Sequence, residues 1–246
     1  MIIGTKLIFC RNLPSTNTYV TNLLRTDRPP EGTIVYTNHQ SEGKGQKGNK
    51  WESEDGKNLL VSIILYPGKT DPAEQFIISM TISLGICDFI ERYLPCGKIK
   101  WPNDIYVNDD KIAGILIEIS IIDNKIDSCV AGIGLNINQV KFLSDAPNPV
   151  SLSALTGKIY DPDICLIQLA EDIDRRYSQL MSGRRDTIRK EYITLLYRYE
   201  IWSDFKDING LFSGRIISVS PEGLLQVENR KGGVADYMFN ELKFIP

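Results

Sequence analysis

Histidine is almost missing from this chain, which has a single one, His39, among 246 residues. A metal site built on several histidines is therefore excluded, and the sequence offers no credible Ser–His–Asp or Cys–His catalytic set. Cysteine is scarce too: the five cysteines, an odd number with no CxxC pair, stand at positions 10, 87, 96, 129 and 165. That pattern argues against a disulfide framework and a zinc site, and it is typical of a reducing cytosol.

Long apolar runs and a leader segment are also lacking. No stretch approaches the ~18 apolar residues of a membrane span. Residues 1–17 lack the basic segment and apolar run of a signal peptide. The net charge of −3 argues against a general nucleic-acid-binding surface. We therefore expect a cytoplasmic protein that binds neither membrane nor nucleic acid.

The apolar pattern predicts an alternation of strands and helices. A chain of this length can fold as one large domain, alone or with a small one, without disulfides or a structural metal. Strands are predicted at 6–13, 33–39 and 58–67, and antiparallel hairpins across 98–138 with turns at "VNDDK" and "IDNK". Helices are predicted after Ser15, at 71–94 with Asp71 as cap, and at about 161–182 and 184–199.

The pattern changes near residue 200, where short apolar strands alternate with turn signals and no helix signal remains. We therefore predict an α+β protein. A mixed, mainly antiparallel sheet packed by helices would form a catalytic domain over residues 1–199. A small SH3-like β-barrel domain would follow over residues 200–246.

A glycine-rich loop, "SEGKGQKGNKWES" at 41–53, is suited to holding an anion, because glycines let backbone N–H groups approach closely. As a P-loop it fails: Gly43 and Gly48 have the right separation, but Asn49 stands where lysine is required. "GKGQKG" fits GxGxxG, but no helix pattern follows it. Trp51 offers a flat face for a purine. A solvated hairpin loop explains the same residues equally well.

Two further motifs carry more information. In "KWPNDIYVNDDKIAGILIE" (100–118), a hairpin explains the turns but not Lys111 and Gly114 inside an apolar strand, where an unpaired lysine is costly to bury. In "GIGLNIN" (132–138), glycines within a strand mark the close approach of a ligand or another backbone. Taken alone, the second motif is explained as well by a bulged strand.

Together with "STN" (15–17) and "HQSEGKGQKGNKW" (39–51), these motifs resemble the biotin–protein ligases in order and spacing, over essentially the whole chain. The resemblance implies a reaction in two steps. The carboxylate of biotin attacks the α-phosphate of ATP, giving biotinyl-AMP and pyrophosphate. A lysine of a biotin carboxyl carrier protein then attacks the mixed anhydride and releases AMP. Mg²⁺ is expected with ATP, held mostly by phosphates and water rather than by protein ligands.

The resemblance also implies the site residues. Biotin would be bound by Ser15, Thr16, Asn17, Gln40, Lys44, Gly45, Gln46, Lys111 and Gly114, of which Gly114 would keep the pocket open. The adenylate would be bound by Gly43, Lys44, Gln46, Trp51, Asn103 and Asn136, with Trp51 stacked on adenine. Lys111 and Lys44 would stabilise the developing charge, and Asp104 would orient the incoming amine.

The chain departs from its relatives in two ways. Many relatives have arginine in place of Lys44 and of Gln46; lysine is a point charge, and glutamine cannot neutralise phosphate. Lys47 would have to compensate, so we expect biotinyl-AMP to be held less tightly than in the arginine-bearing relatives. Relatives that also repress transcription carry a helix-turn-helix domain before the ligase. Here "STN" begins at residue 15, so DNA binding of that kind is not expected.

Two other functions stay open. A lipoate–protein ligase would use the same adenylate chemistry on a longer apolar acid, although the KWPND segment argues against it. A non-catalytic biotin-binding protein would not release pyrophosphate, and the presence of Lys111, Asp104 and Trp51 together argues against it. The sequence leaves the oligomeric state open, a homodimer included. The region after residue 200 either assists ATP or carrier binding or covers the catalytic sheet.

Overall fold

The structure, a computed structural model, describes residues 1–95, 97–144 and 148–245, without the side chain of Lys47. The first seven strands are β1 (Leu7–Leu13), β2 (Ile34–Gln40), β3 (Leu59–Leu65), β4 (Gly97–Lys100), β5 (Asp104–Val107), β6 (Asp110–Ile122) and β7 (Lys125–Leu135). They form one sheet in the order β1-β2-β3-β7-β6-β5-β4. Only the β1–β2 pair of this described sheet is parallel, which confirms the prediction of a mixed, mainly antiparallel sheet.

The centre of this sheet is buried on both faces. Every residue of β3 is buried, as its uninterrupted apolar run "LLVSIIL" predicts. The two hairpin turns also lie where predicted. Asn108, Asp123 and Asn124 adopt the left-handed backbone conformation that tight turns require and that asparagine and aspartate tolerate.

The described residues form five α-helices: α1 (Thr16–Leu23), α2 (Phe76–Glu91), α3 (Leu152–Thr156), α4 (Pro162–Met181) and α5 (Arg185–Thr194). Helices α1, α2 and α4 pack against the sheet, and α5 packs on α2. The predicted helix at 71–94 begins as a 3-10 turn, Pro72–Glu74, in which the Asp71 carboxylate accepts a hydrogen bond from Ala73 N at 2.9 Å. The segment Pro72–Glu91 is long and apolar enough to cross a membrane, contrary to the prediction from the sequence. However, 72% of it is buried inside the protein, as in the core helix of a folded domain.

The last predicted helix is shorter than expected. It ends at Thr194 rather than near residue 199, because the backbone groups of Leu195 and Tyr197 bond to Ile99 instead of continuing the helix. The left-handed conformations of Arg198 and Glu200 follow within the same segment. The chain instead runs along the outer edge of β4. Ile99 N donates a hydrogen bond to Leu195 O, and Tyr197 N donates to Ile99 O, each at 2.8 Å. The short helix α3 was not predicted.

A second sheet follows, made of β8 (Ser203–Asp207), β9 (Gly210–Val219), β10 (Leu225–Asn229), β11 (Val234–Tyr237) and β12 (Lys243–Phe244) in the order β11-β10-β9-β8-β12. No helix occurs in the described residues after Thr194, as the sequence predicted. Two hydrogen bonds tie this sheet to the first part of the chain. Trp101 Nε1 donates to Gly223 O at 2.9 Å, and Arg198 Nη1 donates to Ile245 O at 2.6 Å.

Candidate active site

A cavity of about 560 Å³ opens between the two sheets. It brings together twelve of the fourteen predicted site residues: Ser15, Thr16, Asn17, Gln40, Lys44, Gly45, Gln46, Trp51, Asn103, Asp104, Lys111 and Gly114. These residues come from α1, β2, the glycine-rich loop and the β5–β6 hairpin. Segments far apart in sequence therefore share one cavity, and the site can be described as three regions.

The first region is a buried polar end at the start of α1. Gln40 Oε1 accepts hydrogen bonds from Thr16 N at 2.7 Å and from Thr16 Oγ1 at 3.1 Å. Asn17 Nδ2 donates to Leu116 O at 3.2 Å and to Glu118 Oε2 at 2.8 Å. The backbone N–H of Thr16 can only donate, so the Gln40 atom that faces it must be the amide oxygen. The Gln40 amide nitrogen is therefore available to donate to another group. Ser15, Thr16 and Asn17 are each less than 5% exposed.

One member of this polar end escaped prediction. Ser62 is fully buried, and it is the lone polar residue of β3. Its Oγ lies 2.8 Å from Thr16 Oγ1 and 2.6 Å from Asn17 Oδ1. A hydroxyl in a strand buried on both faces must find a partner, so its presence in "LLVSIIL" was the signal in the sequence.

The second region is a floor of glycines on β6 and β7, where Gly114 and Gly134 are direct cross-strand partners. A Cβ added at Gly134 would lie 2.3 Å from Trp51 Cε2, and one added at Gly114 would lie 2.9 Å from Trp51 Cζ3. The indole therefore packs directly on the glycines. Trp51 Nε1 is buried and has no hydrogen-bond partner among the described residues. At the neighbouring Gly132, an added Cβ would lie 2.2 Å from Asn17 Oδ1.

The glycine-rich loop reaches over this floor as a narrow hairpin. Trp51 N donates to Gly43 O at 2.9 Å, and Gly45 N donates to Asn49 O at 2.7 Å. Lys44 and Lys50 form an antiparallel bridge through their backbones, and both side chains are exposed. Neither ammonium has an ion-pair partner among the described residues. The side chain of Lys47 lies outside the described residues.

The third region centres on an ion pair between Lys111 Nζ and Asp104 Oδ1, at 2.6 Å. Both side chains are 22% exposed. A β-bulge in this hairpin interrupts the alternation of side chains and brings Lys111 and Gly114 onto the same face. The Lys111 Cε atom lies 3.5 Å from the position of a Cβ at Gly114. Lys111 is tolerated within an apolar strand because its ammonium group is paired with the Asp104 carboxylate.

Two predicted residues lie outside the cavity lining. Gly43 is buried and holds the base of the loop through its carbonyl group. Asn136 is 2% exposed, and its Nδ2 donates to Val150 O at 3.0 Å. Its Oδ1 is buried without a partner among the described residues. Asn103, in contrast, lines the cavity while its Nδ2 donates to Ile115 O at 2.8 Å.

The region after residue 200 supplies one wall of the cavity through β12 and the segment before it. The sequence had left open whether this region assists ligand binding or only covers the catalytic sheet. The region contributes Phe239, Asn240, Leu242, Lys243 and Phe244. Among the described residues, the ionisable side chains that line the cavity are five lysines, at 44, 50, 100, 111 and 243, and one aspartate, Asp104. The cavity thus carries a net charge of +4 in a protein whose net charge is −3. Such a field attracts polyanions.

Comparison with known proteins gives consistent results. A model of the "Biotin/lipoate A/B protein ligase family" matches residues 9–136. The chain is 27% identical over 239 residues to the bifunctional ligase/repressor BirA of Bacillus subtilis, covering 94% of this chain and 72% of the relative. It is 33% identical over 156 residues to the biotin–[acetyl-CoA-carboxylase] ligase of Paracoccus denitrificans, covering 59% of this chain and 63% of the relative.

The fold is also similar to that of a solved structure, the biotin protein ligase from Aquifex aeolicus in complex with biotin and ATP. The TM-score is 0.80 at 22% identity, and the match covers 98% of this chain and all of the other. At that identity the likeness shows the fold, including the presence of the second sheet.

Proposed function

The chain belongs to the biotin/lipoate A/B protein ligase family, and on that premise we propose that it is a biotin–protein ligase. It uses ATP to convert biotin into biotinyl-AMP and then transfers the biotinyl group to a lysine of a biotin carboxyl carrier protein. One observation carries the proposal: a single cavity joins a buried polar end to a group of lysines. The first suits the ureido ring of biotin, and the second suits the phosphates of ATP.

The polar end favours biotin over lipoate. Thr16, Asn17 and Gln40 Oε1 are paired with protein groups, but the Gln40 amide nitrogen and the Ser15 hydroxyl have no hydrogen-bond partner among the described residues. A ligand without polar groups would leave these two unpaired in a buried setting. The ureido group of biotin offers both donors and an acceptor, whereas the dithiolane ring of lipoate offers neither N–H nor C=O. Gly114, which has no side chain, keeps the pocket open for the aliphatic chain that connects the ureido ring to the carboxylate.

In the first step, a carboxylate oxygen of biotin forms a bond to the α-phosphorus of ATP. The bond from that phosphorus to the bridging oxygen breaks, and its electron pair leaves with pyrophosphate. Lys111 and Lys44 stabilise the charge that develops around the phosphorus, while the loop at Gly45 and Gln46 wraps the phosphate. The N–H of Gln46 can approach it, because that of Gly45 is already bonded to Asn49 O. Asn103 contacts the nucleotide, Gly43 supports the loop, and Trp51 stacks on adenine. Asn136, which is buried outside the lining, holds the neighbouring segment through its hydrogen bond to Val150 O instead of contacting the nucleotide.

In the second step, the amine of the carrier lysine attacks the acyl carbon, and the bond to the phosphate oxygen breaks with its electron pair leaving on AMP. Asp104 orients that amine and receives its proton. Asp104 is paired with Lys111 before substrate binds. Phosphate must therefore draw Lys111 away from Asp104 before the Asp104 carboxylate can orient the amine. The Asp104–Lys111 ion pair thus makes adenylate formation precede transfer to the carrier lysine.

Mg²⁺ enters with the phosphates of ATP. Among the described residues there is no group of three or more His, Cys, Asp or Glu side chains able to hold a metal ion. Asp104 is the one carboxylate lining the described cavity, so the ion would be coordinated mainly by phosphate oxygens and water. We further propose a catalytic domain over residues 1–199, an SH3-like barrel over 200–246 and a cytoplasmic location.

The test is pyrophosphate release from ATP, Mg²⁺ and biotin without any carrier protein. We expect a burst of about one equivalent per enzyme, because the adenylate stays bound, and no burst with lipoate in place of biotin. Lys111→Met should slow the burst about 10²- to 10³-fold, as for the loss of one group that stabilises the transition state. Lys125→Met, at the exposed β6–β7 turn, should not.

Two outcomes would redirect the assignment. A burst with lipoate but not with biotin would make the protein a lipoate–protein ligase. No burst with either acid would leave a non-catalytic biotin-binding protein, and the catalytic roles of Lys111, Lys44 and Asp104 would be withdrawn. If a burst occurs with biotin, addition of a biotin carboxyl carrier domain should yield a biotinylated lysine, detected by its mass.

A further inference from the structure

Lys100 is one of three lysines of the cavity, with Lys50 and Lys243, to which no role has yet been given. It ends β4 and is the direct cross-strand partner of Asp104 on β5. It lines the cavity, whereas Lys98, two residues earlier on the same face of the same strand, is exposed and does not. Lys100 is therefore a partly buried lysine at the cavity and not a solvated surface residue, and its burial has to be explained.

The ammonium group of Lys100 is enclosed by aromatic rings. Its Nζ donates to Tyr106 Oη at 3.0 Å and lies 4.6 Å from the centroid of the Tyr106 ring. It also lies 5.3 Å from the centroid of Phe244, on the wall formed by the second sheet. Aromatic faces attract a cation but leave its remaining N–H donors unused.

No carboxylate within the described chain lies within ion-pair distance of Lys100. The nearest acid along the sheet, Asp104, has its Oδ1 engaged by Lys111. The pKa of Lys100 is lowered, first of all because burial disfavours the charged form, and Asp104 opposes this only in part. A half-buried ammonium without a counter-ion is unfavourable, so this position is prepared for an anion that arrives from outside.

The location identifies that anion. By the proposed function, the acid to be activated lies between the polar end and Lys111. Lys100, Asp104 and Gly114 are successive cross-strand partners, so Lys100 lies on the far side of Asp104 from Gly114, and its contact with Phe244 places it next to the second sheet. In phosphoryl-type transfer the attacking and leaving oxygens are roughly in line. The group that leaves must therefore depart on the side of the α-phosphorus away from the biotin carboxylate, which is the side of Lys100.

We propose that Lys100 binds the β- and γ-phosphates of ATP and stabilises the pyrophosphate as it leaves, with Tyr106 and Phe244 holding its ammonium group in place. This inference rests on the proposed function. When the bond from the α-phosphorus to the bridging oxygen breaks, the electron pair stays with pyrophosphate, whose charge rises near Lys100. The second step involves no pyrophosphate, so Lys100 acts on the first step alone.

The two half-reactions separate this role from a structural one. Lys100→Met should slow formation of biotinyl-AMP about 10- to 100-fold, within the range for a charged hydrogen bond. It should also raise, about tenfold or more, the pyrophosphate concentration needed for half-maximal reversal of biotinyl-AMP to ATP. Transfer from purified biotinyl-AMP to the carrier lysine should stay within about twofold of the unmodified enzyme. Lys100→Arg should retain most pyrophosphate binding, and Lys98→Met should change none of these quantities.

Several results would overturn the proposal. One such result is an unchanged pyrophosphate concentration for half-maximal reversal in Lys100→Met. Another is an equal loss of rate in biotinyl-AMP formation and in transfer to the carrier lysine. If Lys100→Met does not fold, Tyr106→Phe decides the question, because it removes the hydroxyl and keeps the ring. Pyrophosphate binding should weaken severalfold, and no change would count against the proposal. Failure of the unmodified enzyme to form an adenylate would overturn the proposed function instead, so the two failures are distinguishable.

Discussion

At the scale of single residues, the sequence selected most of the polar and charged residues that line the cavity and missed residues that lie behind them. Twelve predicted residues meet in one cavity. Ser62 was missed because its partners, Thr16 and Asn17, are 46 and 45 positions away, and only the fold brings them together. Lys100 is the first residue of a recognised motif. However, one of the aromatic rings that contact its ammonium group belongs to Phe244, and no local sequence pattern connects these two residues.

Ser62 gives a prediction at this scale. Ser62→Ala leaves Thr16 Oγ1 and Asn17 Oδ1 without one partner in a buried setting, which costs about 1–3 kcal/mol. The KM for biotin should rise about 5- to 50-fold, while the KM for ATP should change little. Steady-state kinetics with each substrate varied would show the difference.

Ser83→Ala is the matched control for Ser62→Ala. Ser83 is equally buried, within α2, but its hydroxyl has no hydrogen-bond partner among the described residues. Its removal should leave both KM values unchanged. Equal effects of the two substitutions, or a change in the KM for ATP alone, would show that Ser62 does not position the biotin pocket.

The lysine and glutamine of the glycine-rich loop give a second residue-level prediction. Lys44→Arg together with Gln46→Arg supplies planar groups that bind phosphate through two hydrogen bonds each. Dissociation of biotinyl-AMP should slow about tenfold or more, measured by chasing the labelled intermediate from the enzyme. Lys158→Arg, on an exposed turn, should have no effect. A release from the unmodified enzyme already as slow as from the double variant would contradict the expectation.

At the scale of elements, turns with asparagine and aspartate were predicted correctly, and the end of α5 was not. After Thr194 the chain leaves the helix without a local stop signal, and Arg198 and Glu200 adopt left-handed conformations that such residues rarely take. Tertiary hydrogen bonds to Ile99 hold that segment against β4. The structure of the glycine-rich loop was predicted only in part, because its hairpin form depends on the contacts of Trp51 with the glycine floor.

Glu52 connects the glycine-rich loop to a second loop, and this connection is sensitive to pH. Its carboxylate accepts hydrogen bonds from Leu143 N at 2.8 Å and Ser144 N at 2.7 Å. Burial acts to raise the pKa of Glu52, but the hydrogen bonds from Ser144, Leu143 and Gln139 outweigh it and lower that pKa below its ordinary value of 4.5. The ionised Glu52 carboxylate therefore stabilises the connection between the two loops fully at pH values above 4.5. This stabilisation is lost as the pH falls through the lowered pKa of Glu52.

Amide hydrogen exchange tests this expectation directly. Protection of the Leu143 and Ser144 amides, relative to an unstructured peptide at the same pH, should fall when the solution is taken from neutral pH to below the pKa of Glu52. Glu52→Gln should lower protection at neutral pH and remove most of the dependence on pH. Glu54→Gln, whose side chain makes no hydrogen bond among the described residues, serves as control. Protection independent of pH in the unmodified protein would refute the link.

At the scale of the whole molecule, the sequence predicted two units but not how they share the cavity. The wall that includes Asn240 and Lys243 comes from the second sheet. This association depends on contacts between residues more than a hundred positions apart, such as Trp101 with Gly223. Patterns of period two or 3.6 describe the faces of elements and carry no information about such pairs.

Trp101 gives the prediction at this scale. Trp101→Phe keeps most of the buried ring but leaves Gly223 O without its donor at the junction of the sheets, where Trp101 is 5% exposed. The free energy of unfolding should fall by about 1–3 kcal/mol, measured by urea denaturation. Trp202→Phe, whose indole contacts Arg215 and Arg230 through its ring, should cost less. A larger loss in Trp202→Phe would show that the junction does not depend on Trp101.

The segment that runs along β4 has a further consequence for how copies of this chain can meet. A sheet grows by adding strands at open edges, and the turn after α5 occupies the β4 edge through Leu195 and Tyr197. Within the described sheet, the other edge is β1, where Leu7 and Phe9 are about half exposed. Strand pairing between copies through the first sheet can use this edge, which joins two molecules and then stops, so this sheet allows a closed pair and does not itself extend into a filament.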